Sequence, residues 1–379
     1  MFKAVAGYYK DNEQLRLLVK IIAVWLISRA VMLLMVPVMN LIADEPHQWL
    51  YYMNPWDAEW YKGIVENGYQ PPKSSGMASW AFFPLYPLVC MAVRLVTMGS
   101  IDTYAVGMTV SNICIIIAVY YAVKYADIEL DMKKYNKKTV EDIIIFLMLA
   151  GPFAVYYGAM YTEALFILCV ILCFYNSARH NYMAAGIAAA MASATRIVGC
   201  MLVFVLITYM FMETCAECRA KHNSEMKDNK EAGIIDKCML TEEAGILIAG
   251  NISLASVIRT FIKNVIKEPK KLVAIMISPL GIFIYMNYLR YFCGDSWAFY
   301  HVQRAWRTQK MFPVIGVLFK SCTGQLSAAS GVKTLNGIIL GWLCVITLML
   351  YAAMIRKKHY ALGIFGIIVL LIPLTSSVM

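Results

Sequence analysis

Apolar residues along this chain come in unbroken blocks of roughly 15 to 30, divided by short charged segments. Blocks of that length suit a hydrocarbon core about 30 Å thick. In such a core every backbone N–H and C=O must be bonded within the protein, so only helices or closed barrels can cross. The blocks show no period-two alternation, which selects helices. The pattern predicts an all-α polytopic membrane protein of about 8–10 transmembrane helices, with a large first outer loop carrying interfacial helices.

The first block runs from Ile21 to Ile42, behind Lys3, Lys10, Arg16 and Lys20. It is too long for a signal-peptide core and lacks a small-residue cleavage site, so it reads as the first span, with the positive charges holding the N-terminus inside. Segment 43–80 carries five acids against two lysines and reads as an outer loop. Blocks follow at 82–98 and 103–123, and the lysine-rich patch at 124–138 reads as cytoplasmic. If both blocks crossed, that patch would lie outside; 82–98, with Pro84, Pro87 and Arg94, is therefore expected to be re-entrant or interfacial. Residues 143–177 are interrupted at Gly151-Pro152 and by the polar cluster from Tyr156 to Glu163, which predicts two helices meeting at the outer face. Residues 182–212 repeat the arrangement around Thr195-Arg196. The 213–271 segment, with ten Lys/Arg and nine Asp/Glu, is expected to be a cytoplasmic loop with an amphipathic helix near 252–267. A span at 272–291 and blocks at 336–355 and 360–374 complete what reads as a single transmembrane domain, 1–379.

The chain is 60% hydrophobic and 15% charged, with a mean hydropathy of +0.61. Soluble domains sit near half apolar and a quarter charged. The net charge of +10 is concentrated between spans, so it does not point to nucleic acid. Most of the eleven cysteines fall inside apolar blocks, where thiols act as small hydrophobes. Cys215 and Cys218, with Cys238, have the first spacing of a zinc site, but no fourth ligand follows and no metal site is expected.

The segment richest in chemistry is Asn54-Pro55-Trp56-Asp57-Ala58-Glu59-Trp60-Tyr61. Read as a helix, it has Asn54 as N-cap, Pro55 at the first position and Asp57 at the third, where a carboxylate could simply complement the dipole. At about 100° per residue, Trp56, Trp60, Tyr61, Ile64 and Val65 cover one half of the wheel with Asp57 in its middle, opposite Glu59, Lys62 and Glu66. Asp57 is thus expected to face inward, a costly place for a charge without a role. It is the candidate catalytic residue; Glu163 and Glu59 are candidate second acids. Arg196 interrupts an otherwise uncharged stretch and suits a lipid phosphate. Trp56, Trp60, Tyr61 and Trp297 are candidates for the acceptor site and the membrane interface. No P-loop, GxGxxG, HExxH or Ser-His-Asp pattern is present, and no cytosolic domain could hold a nucleotide sugar, so an enzyme of this kind takes its donor from the membrane. The competing class is a transporter or flippase of a lipid-linked sugar, whose broken helices also carry charged tips, although no inverted repeat is found.

Trp56-Asp57-Ala58-Glu59-Trp60-Tyr61 with Gly68-Tyr69, then Phe82-Phe83-Pro84-Leu85-Tyr86-Pro87, then Tyr161-Thr162-Glu163-Ala164-Leu165-Phe166 form an ordered series. Ala194-Thr195-Arg196-Ile197-Val198-Gly199 and Gly294-Asp295-Ser296-Trp297-Ala298-Phe299 continue it. Together they resemble the PIG-V-like (GPI mannosyltransferase II-like) family of integral membrane mannosyltransferases, in the GT-C superfamily. The resemblance implies a GT-C-like bundle and inverting transfer of mannose from a polyprenyl- or dolichyl-phosphate donor to a glycolipid or glycan hydroxyl at the outer or lumenal face. Asp57 would take the acceptor proton and Arg196 would face the donor phosphate. No cofactor is required, with at most a weak divalent-cation dependence. The compact loops favour a bacterial plasma membrane, with the endoplasmic reticulum membrane as the eukaryotic equivalent. Two features depart from the family: the long 213–271 segment, and an end at Met379 where relatives usually continue past Pro373-Leu374-Thr375-Ser376-Ser377, so the chain is expected to be C-terminally incomplete.

Overall fold

In the computed structural model, which describes residues 12–42, 48–73, 76–231, 253–305, 314–325 and 332–374, every regular element is a helix. Among the described residues, four helices are long and apolar enough to cross a membrane: Glu13–Ile42 (α1), Thr103–Glu129, Ile197–Ser224 and Leu335–Arg356. The bent pair Pro269–Ile277 and Leu280–Cys293 makes a fifth if counted as one span. Shorter apolar helices occupy Leu85–Val96, Glu163–Ala178, Tyr182–Ser193 and Tyr360–Ile372. Leu85–Val96, at 12 residues, is about 18 Å long and falls short of a 30 Å core by itself.

The described residues form two compact units, the first drawn from Met1–Ala178, Ala188–Cys200 and Pro279–Thr308. In this unit Trp49–Met53 (α2), Ala58–Asn67 (α3) and Leu85–Val96 (α4) precede α5, Thr103–Glu129, which is capped by Asp102 accepting the Tyr104 N–H at 2.8 Å. Lys137–Leu149 (α6) begins at Asn136, whose side chain accepts the Thr139 N–H at 3.3 Å. Residues 150–162 are not helical, and Glu163–Ala178 (α7) follows, so the expected break at Gly151-Pro152 is present. The most extensive helix pairing among the described residues joins α5 to α7. Gly107, Ser111, Cys114 and Ala118 on one side and Ala164, Cys169 and Cys173 on the other are small and buried, which lets the backbones approach where lipid offers no hydrophobic drive for association. Just before α7 the fit is equally close: a Cβ on Gly107 would lie 2.2 Å from the Met160 side chain, in the segment that leads into α7. By contrast α1 leaves Leu26, Ile27, Val31 and Leu34 more than half exposed, as a lipid-facing span should.

The second unit holds Arg179–Ile187, Met201–Ser278 and Gln309–Met379. Tyr182–Ser193 (α8) starts within it, and Leu202–Glu231 (α9) forms its longest element. Leu254–Lys267 (α10) and Pro269–Ile277 (α11) pack on α9, as does the last helix of the series Leu280–Cys293 (α12, first unit), Ala298–His301 (α13, first unit), Val314–Cys322 (α14), Val332–Arg356 (α15) and Tyr360–Leu374 (α16). Lys271, with 5% of its side chain exposed, bridges Glu213 at 3.1 Å and Glu268 at 2.8 Å, while the Tyr182 hydroxyl donates to Glu213 at 2.7 Å. Within the expected 213–271 loop, α9 runs on through Glu231, because Leu202 to Lys230 contains neither Gly nor Pro to stop it. The amphipathic helix near 252–267 is present as α10. Residues 43–47 and 74–75 of the first loop, Lys3, Lys10, Cys238 and Thr375 to Met379 lie outside the described residues.

Candidate active site

The turn from Asn54 to Asp57 is shaped by residues a hundred positions away. Asn54 is buried; its Oδ1 accepts the Met160 N–H at 2.7 Å and its Nδ2 donates to the Leu50 carbonyl at 2.9 Å. The Tyr161 hydroxyl donates to the Pro55 carbonyl at 2.5 Å and accepts the Asp57 N–H at 3.2 Å. Burial pushes the Tyr161 pKa up to about 12, so the hydroxyl stays protonated and able to donate. Its two bonds straddle Trp56, whose φ of 50° is left-handed. That conformation costs a bulky residue about 1–3 kcal/mol and persists only when neighbours enforce it. Trp56 is itself 74% exposed and stacks on Tyr156, ring centroids 6.4 Å apart.

Helix α3 consequently starts at Ala58. Asp57 occupies the N-cap position but makes no side-chain cap bond. The residue is exposed by surface area although protein atoms crowd one side of its carboxyl, and among the described residues the carboxylate has no hydrogen-bond or ion-pair partner. Two expectations are corrected here. Asn54 is not the cap, since its side chain is committed to Met160 and Leu50. Nor does Asp57 join the buried face, which consists of Ala58, Tyr61, Ile64 and Val65. The helical wheel assumed one register from Pro55 onward, and the left-handed Trp56 breaks it.

Glu163 opens α7, and its Oε1 accepts Arg196 Nη1 at 2.5 Å, with the two side chains 28% and 41% exposed. Arg196 is held in a tight turn after α8. Thr195 is buried with its hydroxyl donating to the Ala192 carbonyl at 2.7 Å, the Arg196 N–H reaches the same carbonyl at 3.0 Å, and the Leu85 N–H donates to Ala194 O at 3.0 Å. Gly199 closes the turn against α8, where a Cβ would lie 2.2 Å from the Ala192 carbonyl carbon. Both charges act on Asp57, which lies outside the spans. Its pKa is raised, first by the protein atoms crowding the carboxyl and then by Glu163, with Arg196 opposing. Tyr61 is buried nearby, its hydroxyl 3.4 Å from Thr162 Oγ1.

The other candidates separate from this group. Glu59 is exposed and accepts from the Tyr104 hydroxyl, on the opposite side of α3 from Tyr61. Trp60 stacks on Phe82 at 5.7 Å, with Lys73 Nζ 4.7 Å from its ring centroid. Trp297 is half exposed in the turn before α13 and its ring meets Phe299 at 5.9 Å. No cluster of three or more His, Cys, Asp or Glu suited to a metal occurs among the described residues, and Cys215 and Cys218 lie along α9.

Residues 14–234, more than half of the chain, match the family described as Mannosyltransferase (PIG-V). The chain belongs to the PIG-V mannosyltransferase family. Comparison with curated proteins and with solved structures gave no match. As a membrane mannosyltransferase, this PIG-V relative holds Asp57, Glu163 and Arg196 inside the matched stretch, whereas Trp297 lies beyond it. Asp57 offers an acceptor atom to solvent. Arg196 keeps Nε and Nη2 without an acceptor among the described residues, so a base and a cation stand in one neighbourhood. The brace that shapes the site, Tyr161, was visible in the sequence as one of several tyrosines in a polar interruption and as the first residue of the piece Tyr161 to Phe166, with nothing local to mark its contacts with Pro55 and Asp57.

Proposed function

We propose that this PIG-V mannosyltransferase moves mannose from a polyprenyl- or dolichyl-phosphate donor to a glycolipid or glycan hydroxyl, with inversion, at the extracytoplasmic face of a bacterial plasma membrane or the lumenal face of the endoplasmic reticulum. The observation that carries this reading is the exposed, unpartnered Asp57 carboxylate beside the Arg196–Glu163 pair. As the acceptor oxygen bonds to the anomeric carbon, the bond from that carbon to the donor phosphate breaks on the opposite side. Asp57 takes the hydroxyl proton. The negative charge that grows on the lipid phosphate meets the unused donors of Arg196, whose orientation Glu163 holds. A lipid phosphate is a good leaving group, so the reaction as drawn calls on no metal. Trp56, exposed and stacked on Tyr156, offers an aromatic surface beside Asp57 for the acceptor sugar.

The test is donor choice in proteoliposomes. Radiolabel should pass to acceptor from polyprenyl-phosphate mannose and not from nucleotide-activated mannose. Transfer from the nucleotide sugar in the absence of lipid phosphate would overturn the reading.

A further inference from the structure

Helix α10, Leu254–Lys267, belongs to the second unit and takes no part in the site described above. It rests on α9 by a narrow face: Val257 and Val265 are buried, and the Phe261 ring meets Phe211 at 5.7 Å. Asn264 Nδ2 donates to Glu217 Oε2 at 2.9 Å. These contacts fix its level along α9. The apolar run of α9 ends at Met212, with Glu213 and Glu217 following, so α10 crosses where a span gives way to headgroups.

Beside the buried face, Leu254, Ile258, Ile262 and Ile266 repeat every fourth residue and are 42–65% exposed. One position further on, Arg259, Lys263 and Lys267 form a parallel exposed row. No Asp or Glu lies between Leu254 and Lys267. Side chains four apart share one helix face, so an uncovered apolar row and a row of cations run next to each other along the helix. That adjacency matches the boundary between acyl chains and headgroups, where the apolar row inserts and the cations stay in the headgroup layer.

We propose that α10 is an interfacial helix that recognises anionic lipid headgroups. Charge complementarity commits it to an anionic bilayer: three exposed cations face no acid within the helix, Glu268 at its end pairs with Lys271 and Glu217 bonds Asn264, so the row favours negative headgroups, each cation by about fivefold at the surface.

The experiment uses the full chain in nanodiscs with Ile262→Trp as reporter, read as the fluorescence added over wild type. Bromine-labelled phosphatidylcholine is the quencher, and phosphatidylglycerol is varied from none to about a third of the lipid. Quenching of the added tryptophan that grows with phosphatidylglycerol is expected. The same series in an Arg259→Gln/Lys263→Gln/Lys267→Gln background should need at least threefold more phosphatidylglycerol for half the effect. Unaltered thermal unfolding of that background shows that loss of folding is not the cause. Quenching independent of phosphatidylglycerol in both backgrounds would overturn headgroup recognition. No quenching at any composition would show the row covered by protein, whether residues 232–252, a second copy or another chain, and would overturn the proposal as a whole.

Discussion

Replacing Asp57 with Asn should separate activity from stability, because the structure gives its carboxylate nothing to hold. Among the described residues it accepts no cap bond and pairs with no cation, and Asn has nearly the same shape. Removing a general base typically lowers rate by about 10²–10⁴-fold, equivalent to about 3–5 kcal/mol of barrier. The stability effect has the opposite sign. Since the folded state raises the Asp57 pKa, it binds that proton more tightly than the unfolded chain does. Stability is therefore lost as pH rises from the ordinary carboxylate range through the folded pKa. Above that window Asn removes a charge the fold disfavours. An exposed substitution of this kind changes stability by no more than about 0.5 kcal/mol unless it breaks a contact. The expected result is transfer reduced at least a hundredfold with a thermal midpoint in detergent equal to or slightly above wild type. A variant that keeps a third of the activity, or one that loses activity together with several degrees of midpoint, would refute the reasoning.

The pH profile supplies a second check: wild-type transfer should fall on the acid side above the usual carboxylate pKa, and Glu163→Gln, by removing a charge that raises Asp57, should move that limb to lower pH; a shift to higher pH would contradict it. Gly199→Ala places a Cβ against Ala192 backbone that cannot swing aside, so it should destabilise by about 1–3 kcal/mol and displace Arg196; donor KM should rise with it, whereas Gly337→Ala, with open space around it, should leave KM unchanged. Lys271→Met strands two carboxylates on a buried cation site and should cost about 3 kcal/mol in unfolding measurements; Glu268→Gln, which removes only the more exposed partner, should cost less than about 1 kcal/mol. Exhaustive chelation should leave transfer within twofold of its starting rate, and a collapse restored by one divalent cation would show that Arg196 does not suffice at the phosphate.

The sequence by itself determined that the apolar blocks are helices and where two of them break. A hydrocarbon solvent makes the backbone bond within each segment, so an apolar run becomes a helix without reference to the rest of the chain. Gly151-Pro152 and Thr195-Arg196 then interrupt helices for equally local reasons. The acidic and basic candidates were legible too, because Asp57, Glu163 and Arg196 stand out in apolar surroundings. What only the tertiary structure decided was which way those groups face. Tyr161 grips the backbone on either side of Trp56 across more than a hundred residues, turning that tryptophan left-handed and starting α3 at Ala58. The same long-range packing brings Arg196 onto Glu163, 33 positions earlier, and leaves Glu59 with Tyr104. Helix periodicity describes a segment in its own frame. The exposure of Asp57 comes from a hydroxyl supplied by a distant loop, and no local pattern around Asp57 encodes that contact.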